Sequence, residues 1–334
     1  MMVREEIRVN LDLEAGGRLA DARVVFHHSP FPPSGRRVIW ICHALTANSN
    51  PEDWWPEMVG PFKTIDDGRD YVVCVNMLGS PYGSESPASV NPGTGRPWLL
   101  DFPLITFRDV TASFEAVRKY LGIEKIDLII GASSGGFEAV EWAVSSPGLF
   151  GRCFFMATAP RISPFLAACN ETQRMALEAD PSFRLAAGLQ GGAAGLRCAR
   201  AQALISYRSF GCYEATQAET DEDALCAARA ASYQRYQGEK LVRRGFDAYS
   251  YYSICNTLDT HNVGRGRGGV KAALGRIEAR TTVVSIDSDA IFPPEEGRRW
   301  AAMIPGAEFK VFSSLYGHDG FLLETAKISA ILMS

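Results

Sequence analysis

A short apolar run, Ile126 to Ile130, ends in Gly131-Ala132-Ser133-Ser134-Gly135-Gly136 and gives way to a helical stretch, Phe137 to Val144. No other segment narrows the possible folds so far. Gly-x-Ser-x-Gly between a buried strand and a helix holds its serine on a strained turn, with the hydroxyl lifted clear of the sheet. The glycines are needed because a Cβ at the flanking positions would collide with neighbouring backbone. The helix N-terminus beneath adds free N–H groups and a partial positive charge. The bland alternative is a tight strand-to-helix turn with an incidental serine, but the strand–turn–helix setting favours a nucleophile. Ser134 is a second candidate; only Ser133 has glycine two residues away on both sides.

The rest of the chain supplies the sheet such a turn requires. Ile7 to Leu13 alternates apolar and polar residues, as a half-exposed strand does. Ala22 to His28 follows, and then Arg37 to Ala44, whose near-continuous apolar run suits a strand buried on both faces. Ser29 to Gly35 between them is loop. Tyr71 to Met77 predicts another buried strand, and Val110 to Leu121 puts Val110, Phe114, Val117 and Leu121 on one helical face. Pro147-Gly148 stops the helix after Ser133, and Cys153 to Ala157 returns as strand. Strand alternating with helix predicts a mostly parallel sheet with helices on both faces.

From about Ser163 to Arg280 the rhythm changes to alanine-, arginine- and glutamate-rich runs such as Ala224 to Gln237, with no clear buried strand. Gly188 to Gly195 and Gly264 to Gly269 read as turns. Thr281 to Ile286 and Glu308 to Phe312 then resume the strand pattern. The expected organisation is a discontinuous α/β core, 1–162 and 281–334, interrupted by a helical cap at 163–280. With the serine turn, this resembles the α/β-hydrolase fold.

Composition excludes more than it specifies. A net charge of -4 favours neither nucleic acid nor an anionic membrane. No apolar run reaches the ~18 residues that span a bilayer. The acidic start Met1-Met2-Val3-Arg4-Glu5-Glu6 lacks the apolar core of a signal peptide. Eight cysteines without a Cys-x-x-Cys pair give no metal or redox motif. They read as reduced, mostly buried thiols, and a cytoplasmic protein is expected.

In this fold the acid and then the histidine follow the nucleophile. Of His27, His28, His43, His261 and His318, that order leaves His261 and His318, and only His318 lies beyond the last core strand. The acid should end the preceding strand, where Asp287 and Asp289 both qualify on spacing; one of the two can serve only to cap the loop. An oxyanion hole would pair the N–H of Ser134 with one from the loop His43-Ala44-Leu45-Thr46, making Leu45 the second donor. His43 has no partner ligands nearby and reads as structural.

Several stretches go further than a fold. His43-Ala44-Leu45-Thr46, Asn91 to Pro97, Ala157-Thr158-Ala159-Pro160-Arg161, Tyr233 to Lys240, Asp259 to Gly268, Ile286-Asp287-Ser288-Asp289 with Phe292-Pro293-Pro294, and Gly317-His318-Asp319 resemble the homoserine O-acetyltransferase family. They run in order from about residue 40 to 325. The resemblance implies acetyl transfer from acetyl-CoA to the hydroxyl of L-homoserine, in methionine biosynthesis, with no bound cofactor or metal. It assigns the acid to Asp289, a substrate-carboxylate role to Arg208 and a role at the substrate's amino-acid end to Asp319. It also implies a homodimer through the cap helices. A guanidinium fork suits a carboxylate; the plain alternative for Arg208 is a surface ion pair.

The departures sit around the serine. The family has Gly-Gly-Ser-Met-Gly-Gly-Met-Gln where this chain has Ala132, Ser134, Phe137 and Glu138. Ser84-Glu85-Ser86-Pro87 replaces Ser-Thr-Gly-Pro, and Gly245 is inserted. Rival readings keep the fold and change the substrates: an O-succinyltransferase, a serine O-acetyltransferase or an esterase. A non-catalytic binding protein is opposed by the ordered serine, aspartate and histidine. RNA binding through Gly264 to Gly269 is opposed by the short patch and the negative charge.

Overall fold

The computed structural model describes residues 1–185 and 188–334. Among the described residues ten strands run β1 (Val3–Asp12), β2 (Arg18–His28), β3 (Val38–Cys42), β4 (Tyr71–Val75), β5 (Val90–Asn91), β6 (Arg96–Pro97), β7 (Ile126–Ala132), β8 (Phe150–Met156), β9 (Arg280–Ile286) and β10 (Glu308–Phe312). β5 and β6 form a small separate hairpin; the others form one sheet in the order β1-β2-β4-β3-β7-β8-β9-β10. β1, β2 and β4 pair antiparallel, and every pairing from β4 onward to β10 is parallel.

Both faces of the parallel part are covered, which is why its strands read as continuous apolar runs. On β3, Trp40 points to one face and packs edge-on against Trp142, with ring centroids 4.8 Å apart. Ile39 and Ile41 point to the other face, into a cluster with Trp55, Ile328 and Leu332. At the sheet edge the alternation expected of a half-exposed strand holds from Arg4 on: β1 residues are alternately exposed and partly or fully buried.

Several boundaries differ from the sequence expectation, each for a local reason. The first strand starts at Val3, not Ile7, because its backbone pairs with β2 as far as Val3 opposite His28. The helix expected from Val110 begins at Phe107. Thr106 caps it, with Asp109 Oδ2 accepting from the Thr106 N–H at 2.8 Å in a reciprocal capping box. The run expected at Ala224 to Gln237 is helical over Ala228–Arg243. The glycine-rich patch from Gly188 is turn only as far as Gly192. Helix Ala193–Tyr207 starts next, its first turn capped by Asp180 Oδ2, which accepts from Ala194 and Gly195.

Between β8 and β9 the described residues form seven helices and no strand, from Pro164–Glu178 to Val270–Leu274. The two ends of this insertion are tied together at its base. Ile162 N–H donates to His261 O at 2.9 Å and Val263 N–H to Pro160 O at 3.0 Å. Among the described residues no helix is long and apolar enough to cross a membrane.

Candidate active site

β3 lies between β4 and β7, so the chain leaves it to one side for β4 and later returns on its other side for β7. The loops at the carboxyl ends of β3 and β7 therefore diverge, and open α/β sheets bind ligands in the crevice this creates. Both the His43-Ala44-Leu45 loop and the Ser133 turn sit there.

Ser133 has φ 57° and ψ -127°, a conformation that costs a non-glycine residue about 1–3 kcal/mol. Its surroundings hold it: the Ser133 N–H donates to Met156 O and Ala157 O, each at 3.1 Å, and Thr158 Oγ1 donates to Ser133 O at 2.9 Å. The flanking glycines allow the approach. A Cβ on Gly131 would stand 2.2 Å from Gly135 O, and one on Gly135 would stand 2.2 Å from Cys42 O. Both obstacles are backbone, so any side chain there would push the helix away from β3 and β7 and drag the loop after Cys42 with it.

The turn aims Ser133 Oγ at His318. His318 Nδ1 lies 2.7 Å from Asp289 Oδ2 and His318 Nε2 lies 2.8 Å from Ser133 Oγ. A carboxylate only accepts, so Nδ1 carries the proton and Nε2 is left to accept the serine hydroxyl. Asp289 is itself fixed, its Oδ1 accepting from Ile291 N–H at 2.8 Å and Phe292 N–H at 3.1 Å. Asp287, the other candidate on spacing, instead accepts the Ser314 N–H at 3.0 Å and so ties its loop to the end of β10. Ser134 Oγ is buried without a hydrogen-bond partner among the described residues.

His318 is 2% exposed. Burial opposes its protonation, but the charge and hydrogen bond of Asp289, with Asp319 farther out, outweigh it and raise its pKa above the ordinary histidine value. A base must be neutral to take the serine proton. As pH falls through that raised pKa, the imidazolium form accumulates and His318 can no longer accept a proton from Ser133. The pH profile of kcat/KM is therefore expected to rise along a limb centred above 6.5. A limb centred below it contradicts the assignment of His318 as base.

Leu45 and Ser134 line the same cavity as Ser133 and His318. Among the described residues neither backbone N–H has a protein acceptor. His43, buried to 1% exposure, sets the direction of the first. Its Nδ1–H donates to Ala44 O at 3.0 Å while its Nε2 accepts the Met77 N–H at 3.0 Å. Ala44 O and the Leu45 N–H belong to one planar trans peptide and point in opposite directions. Holding the carbonyl back thus turns the N–H forward. Burial pushes the His43 pKa down to about 4, which keeps the ring neutral and Nε2 able to accept. His261 is likewise structural: it bonds Ala159 O at 2.9 Å and stacks on Phe137 at 4.0 Å.

Arg208 and Asp319 are brought together, and they pair with each other. Arg208 Nε lies 2.8 Å from Asp319 Oδ2, close enough for strong attraction. Yet that N–H is not aimed at the oxygen and counts as unsatisfied, so the contact is an ion pair without a good hydrogen bond. The guanidinium's further contacts are weak ones: Nη1 to Cys212 Sγ at 3.8 Å, and the Tyr316 ring, whose centroid lies 5.9 Å from its central carbon. Its fork remains available to a carboxylate.

The cavity at Ser133 is walled by Leu45, Phe137, Leu166, Leu258, Ile291 and Phe292, and no lysine or arginine lines it. Its volume is about 20 Å³, room for about one water-sized group. Two polar lining residues have no role assigned from the sequence, Asn170 and Tyr207, both from the helical insertion. Nothing in their local sequence marks them: each sits in an ordinary helical run, and only the packing of the insertion onto the sheet brings them to the serine. Among the described residues no group of histidine, cysteine and acidic side chains could hold a metal ion.

The alpha/beta hydrolase fold family matches residues 37–325. The homoserine O-acetyltransferase of Cyclobacterium marinum is 38% identical over 325 residues, covering 97% of this chain and 92% of that protein. Solved structures of a homoserine O-acetyltransferase from Bacillus anthracis and of esterase E22 superimpose with TM-scores of 0.89 each. Their identities are 22% and 20%, each covers 99% of this chain, and the matches take in 98% and 99% of those chains. That structural likeness shows the fold alone, since it embraces a transferase and a hydrolase equally. The sequence likeness, continuous through core and insertion, goes further: the chain belongs to the homoserine O-acetyltransferase family of the α/β-hydrolase fold.

Proposed function

We propose that this protein transfers an acetyl group from acetyl-CoA to the hydroxyl of L-homoserine through an acetyl-Ser133 intermediate. The observation that carries the reading is the unbroken line Asp289–His318–Ser133, at 2.7 and 2.8 Å, opening into a small cavity without cations. In the first half, His318 Nε2 takes the Ser133 proton as Oγ attacks the thioester carbonyl. The carbonyl oxygen gathers negative charge opposite the N–H groups of Leu45 and Ser134. The C–S bond then breaks, and the CoA sulfur leaves with the proton held by His318. In the second half, His318 takes the homoserine hydroxyl proton, that oxygen attacks the acetyl ester, and Ser133 Oγ recovers the proton as it leaves.

Arg208 is the post for the homoserine carboxylate, and Asp319 for its ammonium. Each charge is met by the other while the site is empty and by the substrate when it is filled. The insertion, 163–280, acts as a cap that keeps water from the acyl-enzyme; without that exclusion the same machinery is a hydrolase. Acetyl-CoA is a co-substrate and no prosthetic group takes part. The setting is the cytoplasm, and the assembly is a homodimer through the cap helices.

Acetyl is favoured over succinyl because the lining of the cavity at Ser133 offers no cation to a terminal carboxylate. The test is initial rates of CoA release with L-homoserine present or absent, using acetyl-CoA or succinyl-CoA. Release that needs homoserine and is at least tenfold faster with acetyl-CoA is expected, about 1.4 kcal/mol in barrier height. Preference for succinyl-CoA overturns the donor, and release indifferent to homoserine overturns the transferase.

A further inference from the structure

Asn170 lies in helix Pro164–Glu178, lines the Ser133 cavity and is 2% exposed. Its Nδ2 donates to Asp259 Oδ1 at 2.7 Å, and Asp259 Oδ2 lies 2.7 Å from Arg174. A carboxylate paired with a guanidinium can only accept. The orientation of the Asn170 amide is thereby fixed, with its NH₂ on Asp259. Its Oδ1 accepts no hydrogen bond from any described residue. An acceptor at a cavity wall with no protein donor can take one from a ligand.

We propose, resting on the acyl-transfer reading above, that Asn170 Oδ1 binds the acyl donor by accepting from an amide N–H of its thioester arm. In CoA such an N–H stands only two methylenes from the thioester sulfur, so it must pass close to the serine that sulfur approaches. The ammonium of the acceptor amino acid is the rival donor. The cavity that Asn170 shares with Ser133, Leu45 and Ser134 includes neither Arg208 nor Asp319, the pair to which the reading above assigns the acceptor's charged end. Asp259 is then a positioning residue, holding the amide with its oxygen toward the ligand.

A matched pair of small donors tests this: S-acetyl-N-acetylcysteamine, which carries the amide, and S-ethyl thioacetate, which does not. Acetyl transfer to L-homoserine is measured for the wild type and for Asn170→Ala. The ratio of kcat/KM between the two donors is expected to fall about three- to tenfold in the variant, the effect of one neutral hydrogen bond. Asp259→Asn, which lets the Asn170 amide turn over, is expected to lower the same ratio while keeping the side-chain volume, and serves if Asn170→Ala fails to fold. A ratio unchanged in a folded variant overturns the proposal. So does a loss confined to the KM of homoserine, which would assign Asn170 to the acceptor. If the wild type transfers acetyl from neither these donors nor acetyl-CoA, it is the acyl-transfer reading that fails.

Discussion

Ser133→Ala is expected to lower homoserine-dependent CoA release by about 10⁶-fold, the scale seen when the nucleophile of a serine–histidine–aspartate array is removed. The size of the effect follows from chemistry. Without Oγ there is no ester to form, and His318 Nε2 faces a methyl group where a hydroxyl stood 2.8 Å away. Direct attack of homoserine on the thioester, helped only by the donors at Leu45 and Ser134, is what remains. Stability should fall by no more than about 1–3 kcal/mol, because the substitution removes the hydroxyl bonded to His318 Nε2 and leaves the strained backbone of the turn in place. The assay is thiol release under substrate saturation, with a fluorophosphonate label as an independent count of reactive serines. A variant that keeps its rate, or still takes the label, would move the nucleophile elsewhere.

Asp289→Asn is expected to cost about 10⁴-fold in kcat while leaving the fold intact. The asparagine oxygen can keep the N–H groups of Ile291 and Phe292, which Asp289 Oδ1 now accepts at 2.8 and 3.1 Å. That choice turns the NH₂ toward His318 Nδ1. A donor facing Nδ1 forces the imidazole proton onto Nε2, the nitrogen that must accept from Ser133. The ring stays in place in the wrong tautomer. Because both residues serve one proton transfer, the double variant Ser133→Ala/Asp289→Asn should be no slower than Ser133→Ala alone. Additive losses would mean that Asp289 contributes through something other than His318.

The serine turn was legible because backbone geometry dictates it: two close backbone contacts at Gly131 and Gly135 leave no choice of residue. The position of His318 was legible from chain order, which the fold fixes. Spacing did not separate Asp287 from Asp289, which leave the same strand end two residues apart. The choice is made by which carboxylate the loop after β10 meets, and Asp287 meets the Ser314 N–H while Asp289 meets His318. The helix start at Phe107 was available in Thr106 and Asp109, a capping pair that periodicity alone passes over. Asn170 could not be found at all: an amide in a helix reads as solvent-facing, and its partner Asp259 is 89 residues away.

Intact-protein mass spectrometry on enzyme mixed with acetyl-CoA in the absence of homoserine tests covalent transfer most directly. A gain of one acetyl group, located on Ser133 by fragmentation and discharged to O-acetylhomoserine when L-homoserine is added, is the predicted result. An enzyme that stays unmodified while turning over, or an acetyl group that homoserine cannot remove, would contradict it.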